Sequence, residues 1–241
     1  MVTILGPTAL PVMDRTGLIL KKIPCFSGLE DSDLQDFKRI AVRRPFEKGE
    51  MIFLEGDPGN GFYVIAEGMI KVFKASFGGK EQILHVLGPG EPFGEVAVFA
   101  GQAFPANAMA LAKSSLLFFP REAFVERITK NPSLAMNMLA VLSMRLKQFT
   151  NQIESLALKE VPARLAGYLL YLSEEQQNKE RVKLNISKGS LASFLGTIPE
   201  TLSRIFAKMS DQGLIEVSGK EIRLVKYEGI EELFQGGKIE L

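Results

Sequence analysis

The amino-acid sequence predicts an α+β protein with a strand-rich N-terminal part, one long helix, and a C-terminal pair of short helices followed by a hairpin. Three observations lead to this prediction. Short apolar stretches recur between glycine-bearing turns from about residue 40 to 120, apolar residues repeat in heptads from about 132 to 158, and a helix–turn–helix pattern fills residues 187–214. With 241 residues, 46% of them hydrophobic, the chain is long enough for two modest cores.

The N-terminal part is expected to be all-β. Its apolar stretches are 51–54, 62–65, 70–73, 83–87 and 116–119, and the turns between them include 56–61 and 88–90. Strands at such close spacing are typical of a barrel, roll or sandwich.

The long helix carries a seam of apolar residues at alternating steps of four and three. After Ala135 the seam consists of Leu139, Leu142, Leu146, Phe149, Ile153 and Leu156. This heptad predicts a two-helix coiled coil and therefore a homodimer. The alternative is a single amphipathic helix that packs on its own domain. A second apolar set, Met136, Met138, Val141 and Met144, is expected to serve that packing. Pro162 then marks a break, and another helix follows over 163–177.

The helix–turn–helix pattern rests on local signals. Ser187 is a good N-cap, Gly196 suits a left-handed turn, and Pro199 fits the first turn of the second helix. The expected buried residues of that second helix are Leu202, Ile205, Phe206 and Met209. Strands at 214–217 and 221–224 around Ser218-Gly219-Lys220 add a hairpin, which completes a winged helix–turn–helix.

This module is expected to bind DNA, with its second helix in the major groove. Residues 181–226 hold eight Lys or Arg against four Asp or Glu, although the whole chain has a net charge of only +1. Arg204 could contact guanine, and Glu200 a cytosine amino group. The predicted DNA contacts are Ser187, Lys188, Glu200, Thr201, Ser203, Arg204 and Lys220. A solvated or protein-binding face is the alternative interpretation.

Composition excludes several other classes. The single cysteine, Cys25, rules out an intramolecular disulfide and an iron–sulfur cluster held by several cysteines of one chain. The apolar runs are too short to span a bilayer, and the N-terminus lacks a secretory signal pattern, so we expect a cytoplasmic protein that does not contact membranes. No nucleophile elbow or cluster of metal ligands indicates an enzyme.

Several fragments, in this order, resemble the Crp–Fnr family of bacterial transcription regulators. They are Lys48-Gly49-Glu50, Glu55-Gly56-Asp57, Phe62-Tyr63-Val64-Ile65, Glu67-Gly68, Gly90-Glu91-Pro92-Phe93-Gly94-Glu95 and Glu200-Thr201-Leu202-Ser203-Arg204. The resemblance implies an N-terminal helix and a jelly-roll β-roll like that of cyclic-nucleotide-binding domains (1–131), a dimerisation helix (132–160) and a winged helix–turn–helix domain (161–241). It also implies an effector pocket around Gly94, Glu95, Val96, Ala106, Asn107 and Phe149.

The chain departs from the pattern of the members that bind cyclic AMP. Ala106 and Asn107 stand where those members carry an Arg-Ser pair, and Phe149 stands where a hydroxyl would face adenine. A phosphate would lose a charge-assisted contact worth roughly 1.5–3 kcal/mol, which argues against cyclic AMP. Some members sense gases through heme. His85, the single histidine, leaves heme open as a cofactor, although a lone strand histidine is more often structural.

The sequence thus predicts a homodimeric DNA-binding regulator that responds to a small-molecule or redox or gas signal sensed in the β-roll. It is expected to bind inverted repeats of TTGA-like or TGTGA-like half-sites and to contact RNA polymerase. The alternative is a cyclic-nucleotide-like sensor that acts through protein contacts instead of DNA.

Overall fold

The computed structural model describes residues 15–236 and confirms the α+β architecture. Residues 1–14 of the expected N-terminal domain and residues 237–241 of the expected C-terminal domain lie outside this range. The expectation about a secretory signal concerns the first of these segments and so also lies outside the described residues. The helices are α1 Arg15–Lys22, α2 Asp31–Ile40, α3 Glu95–Phe99, α4 Arg121–Ile128, α5 Pro132–Leu158, α6 Val161–Glu175, α7 Lys188–Phe194, α8 Pro199–Asp211 and α9 Tyr227–Phe234. The strands are β1 Val42–Phe46, β2 Met51–Phe53, β3 Gly61–Glu67, β4 Ile70–Ala75, β5 Glu81–Leu87, β6 Pro92–Phe93, β7 Asn107–Ala110, β8 Ser114–Pro120, β9 Arg181–Lys183, β10 Ile215–Ser218 and β11 Glu221–Leu224.

Two antiparallel four-stranded sheets form the roll, with strand orders β1-β8-β3-β6 and β2-β7-β4-β5. Strand β3 is buried on both faces because its side chains alternate between two cores. Tyr63 and Ile65 belong to the core of the roll, with residues of both sheets. Phe62 and Val64 pack with residues of the flanking helices. Because both faces of the strand are buried, residues 62–65 form a continuous apolar run in the sequence.

Three strands of the roll were not predicted from the sequence, namely β1, β6 and β7. Strand β1 has the sequence VRRPF, and its first four residues are exposed. Among the described strands it pairs with β8 alone, at the edge of its sheet, and an edge position tolerates both its charges and Pro45. Without an apolar alternation, the sequence offers no strand signal there.

The long helix α5 spans Pro132–Leu158, as predicted, and ends before the break at Pro162. The Asn131 side chain caps it by accepting a hydrogen bond from the Leu134 backbone N–H at 3.2 Å. Leu134, Met138 and Val141 pack against the core shared with the flanking helices.

Half of the second apolar set on this helix was wrongly assigned to packing on its own domain. Met136 is 65% exposed and Met144 is 58% exposed. At 100° per residue, these two side chains lie well away from the direction of Met138, which is buried. Only Met138 and Val141 of the set therefore contact the roll side.

The C-terminal module combines α6 to α9 with the small antiparallel sheet β10-β11-β9. Its core includes the four residues predicted for α8, together with Leu191, Leu195 and Ile222. Three roll residues, Met69, Val86 and Leu111, pack against this core. The winged module therefore rests on its own roll. Within residues 15–236, no helix is both long and apolar enough to cross a membrane.

Candidate DNA-binding surface and effector site

The turn between α7 and α8 is built as the sequence predicts. The Ser187 hydroxyl accepts a hydrogen bond from the Ser190 backbone N–H at 3.0 Å, which caps α7. Gly196 has φ +67°, a conformation that side-chain-bearing residues rarely adopt. Pro199 occupies the first turn of α8, where no helical N–H is needed. These three residues fix the angle at which α8 leaves the turn.

The face of α8 that points away from the core carries the predicted base-contacting residues. Glu200, Ser203 and Arg204 are exposed, and Thr201 is half-buried. The Arg204 Nη2 donates to Thr201 Oγ1 at 3.3 Å, and within residues 15–236 Arg204 forms no ion pair. The guanidinium is held along the helix with most of its donors available to a ligand.

Charges near the wing divide into paired and unpaired groups. Arg223 lies 3.0 Å from Glu216, and Arg181 lies 3.7 Å from Glu221. Those four exposed charges largely cancel. Lys220, at the exposed hairpin tip, has no carboxylate partner in the part of the chain described, so it remains free to meet a phosphate.

Lys188 begins α7, and its Nζ lies 5.1 Å from the centre of the Phe206 ring. This cation–π contact holds the lysine over α8, next to the recognition face. Ser187, Lys188, Glu200, Thr201, Ser203 and Arg204 thus share the helix–turn–helix, and the hairpin adds Lys220.

The expected effector site centres on a buried ion pair. Gly94, with φ +76°, precedes α3, and the Glu95 carboxylate is bound by the Arg145 Nη1 of α5. Arg145 Nη2 also donates to the Pro92 carbonyl oxygen at 2.8 Å. Sequence reasoning missed Arg145. The available signal was a charged residue on the side of α5 that also carries the buried Met138 and the half-buried Val141.

The positions that replace the Arg-Ser pair carry no charge. Ala106 is buried, and the Asn107 side chain accepts a hydrogen bond from the Glu55 N–H at 3.0 Å while donating to the Phe73 carbonyl at 3.4 Å. Val96, by contrast, is 41% exposed and is not enclosed with Glu95. The polar groups at this site are therefore already engaged with the protein itself.

His85 lies in β5 with its ring centre 5.5 Å from that of Phe149 on α5. Burial and the nearby Arg145 lower the pKa of His85 to about 4, so the ring is neutral near pH 7. Cys25 is buried in the core shared with the flanking helices, and burial raises the pKa of its thiol to about 12. Within residues 15–236, no group of three or more His, Cys, Asp or Glu could hold a metal ion, and heme binding through His85 stays a prediction.

The heptad seam of α5 divides into two rows. Leu139, Leu146 and Ile153 are 56%, 68% and 66% exposed. The intervening Leu142, Phe149 and Leu156 are half-buried. The exposed row leaves a stripe of large apolar side chains on the surface of one chain, which is unusual unless another surface covers it.

Known proteins share both halves of this arrangement. Residues 43–131 match the cyclic nucleotide-binding domain family, and residues 163–233 match the Crp-like helix-turn-helix domain family. The chain is similar to the cyclic AMP receptor protein of Thermus thermophilus, with 30% identity over 90% of this chain and 99% of the relative. It is also similar to the transcriptional activator protein anr of Pseudomonas aeruginosa, with 28% identity over 84% of each.

Solved structures show the same likeness. FixK2 from Bradyrhizobium japonicum aligns with a TM-score of 0.73, at 22% identity, over 83% of this chain and all of that one. The Thermus thermophilus catabolite activator protein aligns with a TM-score of 0.51, at 30% identity, over 88% of this chain and 99% of that one. The first likeness concerns the fold alone, whereas the second joins fold and sequence.

Proposed function

Since the chain belongs to the Crp–Fnr family of DNA-binding transcription regulators, with a cyclic-nucleotide-type sensor domain, we propose that it works as a cytoplasmic homodimer. In this proposal the dimer binds an inverted repeat in DNA. A small-molecule or redox signal that acts on the roll controls this DNA binding. Its relatives are regulators and not enzymes, and it is not an enzyme. The alternative of a sensor that acts only through proteins has no observation in its favour.

One observation carries the proposal for DNA. The exposed side of α8 presents Glu200, Ser203 and Arg204 in a row, and Arg204 has no acidic partner in the described residues. An unpaired guanidinium next to a carboxylate matches a G·C base pair, where guanine offers two acceptors and cytosine an amino donor. The Ser203 methylene and hydroxyl suit a neighbouring thymine. We therefore expect TTGA-like or TGTGA-like half-sites.

The exposed row of α5 supports the dimer. Two copies that pair along Leu139, Leu146 and Ile153 would bury those side chains in a coiled coil. Pairing would also set the separation of the two α8 helices, which must be about 34 Å to meet successive major grooves on one side of DNA. A signal that alters the packing of the long helices would then alter DNA affinity. Contact with RNA polymerase would follow from binding near promoters.

Selection of bound sequences from a random DNA library tests the proposed base contacts. Wild type is expected to enrich an inverted repeat, and Arg204→Ala should cost about 1–3 kcal/mol on it and lose information at one guanine. Lys220→Ala is the matched control. It should weaken all duplexes alike and lower the salt slope by about one unit, because it contacts only phosphate.

Two results would contradict the assignment. One is an Arg204→Ala protein that enriches the wild-type motif with undiminished information at the guanine. The other is a wild-type protein that enriches no motif and does not bind a heparin column in a salt-dependent manner.

A further inference from the structure

A cleft of about 320 Å³ opens between β1 and β2, which are edge strands of the two different sheets of the roll. We call it the aromatic cleft and define it by Arg44, Phe53, Tyr63, Phe104 and Phe118. Its volume is near the lower end of the roughly 300–1,000 Å³ typical of small-molecule pockets. None of the expected effector residues lines it, although two of its rings, Phe53 and Phe104, pack next to Gly94.

Four rings make the wall of the aromatic cleft. Phe53 and Phe104 stack in parallel with ring centres 3.8 Å apart, and the Tyr63 and Phe118 ring centres are 5.0 Å apart. All four side chains are at least nine-tenths buried, so they form a rigid wall rather than loose surface groups. Only a small part of each ring therefore faces the cleft, and a flat apolar ligand would contact those exposed parts, where aromatic groups interact favourably.

Arg44 supplies a positive charge at the same place. Its guanidinium carbon lies 4.0 Å from the centre of the Phe118 ring, and Nη1 donates to the Tyr63 hydroxyl at 3.3 Å. Within residues 15–236, Arg44 has no carboxylate partner. The neighbouring Arg43 differs, because its Nε donates to Ser115 at 2.7 Å and it also lies 3.6 Å from Glu67. Arg44 therefore has donors to spare, held in place by two aromatic neighbours.

We propose that the aromatic cleft binds a small planar aromatic carboxylate, whose ring contacts the exposed parts of the aromatic wall and whose carboxylate pairs with Arg44. A guanidinium prefers a carboxylate because two parallel hydrogen bonds can form. Asp57 also lines the cleft, and its negative charge repels an anion more strongly the more negative charges that anion carries. The ligand is thus a monoanion of one or two rings.

Phe104 links the aromatic cleft to the effector site. A Cβ atom at Gly94 would lie 2.9 Å from Cε1 of Phe104, so this ring already packs directly on the residue that precedes Glu95. A ligand that shifts Phe104 would therefore press on Gly94 and on the Glu95–Arg145 pair of the long helix. This coupling rests on the proposed function, whereas binding in the cleft does not.

Calorimetry of the full chain with indole-3-carboxylate, and with neutral indole as its uncharged counterpart, tests the binding step. Wild type should bind the carboxylate, and binding should weaken about 10- to 100-fold for indole or for Arg44→Met, as expected for the loss of a charge-assisted contact. Arg43→Met is the matched control on the same strand and should bind like wild type. A Phe104→Leu variant should also bind more weakly.

The proposal fails if indole-3-carboxylate gives no binding heat at millimolar concentration. It also fails if indole binds equally well, or if Arg44→Met retains wild-type affinity. Thermal unfolding of each variant separates lost binding from lost structure. DNA affinity of the ligand-free protein, measured by fluorescence anisotropy, tests the proposed function independently. Binding of the carboxylate with no change in DNA affinity would overturn the coupling through Phe104 alone.

Discussion

Replacing Arg145 with methionine should destabilise the roll severely. The Arg145 and Glu95 side chains are only 12% and 7% exposed, and the substitution would leave the Glu95 carboxylate buried without its cation. Removing one partner of a buried pair typically costs about 3–5 kcal/mol, because the remaining charge has lost both water and its counter-ion. The Pro92 carbonyl would lose a donor as well. We therefore expect a loss of about 3–5 kcal/mol in the free energy of unfolding of the roll.

Urea unfolding of wild type, Arg145→Met, Glu95→Gln and the double variant measures this loss. The double variant should be more stable than the sum of the single losses implies, by about 1–3 kcal/mol, because no buried charge is left alone. Lys74→Met is the control. Lys74 and Glu55 are 47% and 46% exposed, and such a pair contributes about 0–1 kcal/mol. Additive single losses, or a loss in Arg145→Met as small as that in Lys74→Met, would refute this reasoning.

Three further predictions concern the seam, the histidine and the signal. Leu146→Glu should convert the dimer to a monomer in sedimentation, because pairing would bury an unpaired charge, whereas Gln148→Glu, at another exposed position of α5, should remain dimeric. The pKa of His85 is about 4 in the folded protein and about 6.5 in the unfolded chain. As the pH falls, the unfolded chain therefore binds a proton at His85 before the folded protein does. Stability should therefore drop between about pH 6.5 and 4 by up to about 3 kcal/mol, and His85→Gln should remove that part of the pH dependence in urea titrations. Cyclic AMP should leave DNA affinity unchanged in anisotropy titrations, because Ala106 and Asn107 offer no cation. A gain in affinity matched by calorimetric binding would contradict this.

The helix–turn–helix and the β10–β11 hairpin could be predicted because their signals are local, whereas β9 and α9 of the same module were not predicted. Ser187, Gly196 and Pro199 each act within one turn of chain, and the structure places all three in the expected conformations. The helix α5 was predicted equally well because its apolar residues are periodic, whereas the dimer that the heptad predicts stays a prediction. Local chemistry and periodicity are the two properties that a single sequence displays directly.

The rest depends on contacts between distant parts of the chain. Arg145 and Glu95 are 50 residues apart in the sequence, and no local pattern near either residue predicts that they form an ion pair. Strand β1 has no apolar alternation, since it is paired on one side only. The aromatic cleft combines residues of β1, β2, β3 and β8 with Phe104. Met136 and Met144 show the converse, because an apolar residue on a helix does not reveal which neighbour, if any, covers it.

The contact between the roll and the helix–turn–helix bears on how such regulators diversify. Gln82 of β5 donates from Nε2 to the Phe194 carbonyl oxygen at 3.4 Å, and a Cβ at Gly196 would lie 3.4 Å from Gln82 Oε1. A winged module acquired from another protein by recombination would need to reproduce these contacts with the roll. Otherwise the apolar side chains of Met69, Val86 and Leu111 would become exposed to water. Substitutions on the outer side of α8 leave that junction untouched. New DNA preferences should therefore evolve more readily by point mutation on that face than by exchange of whole modules.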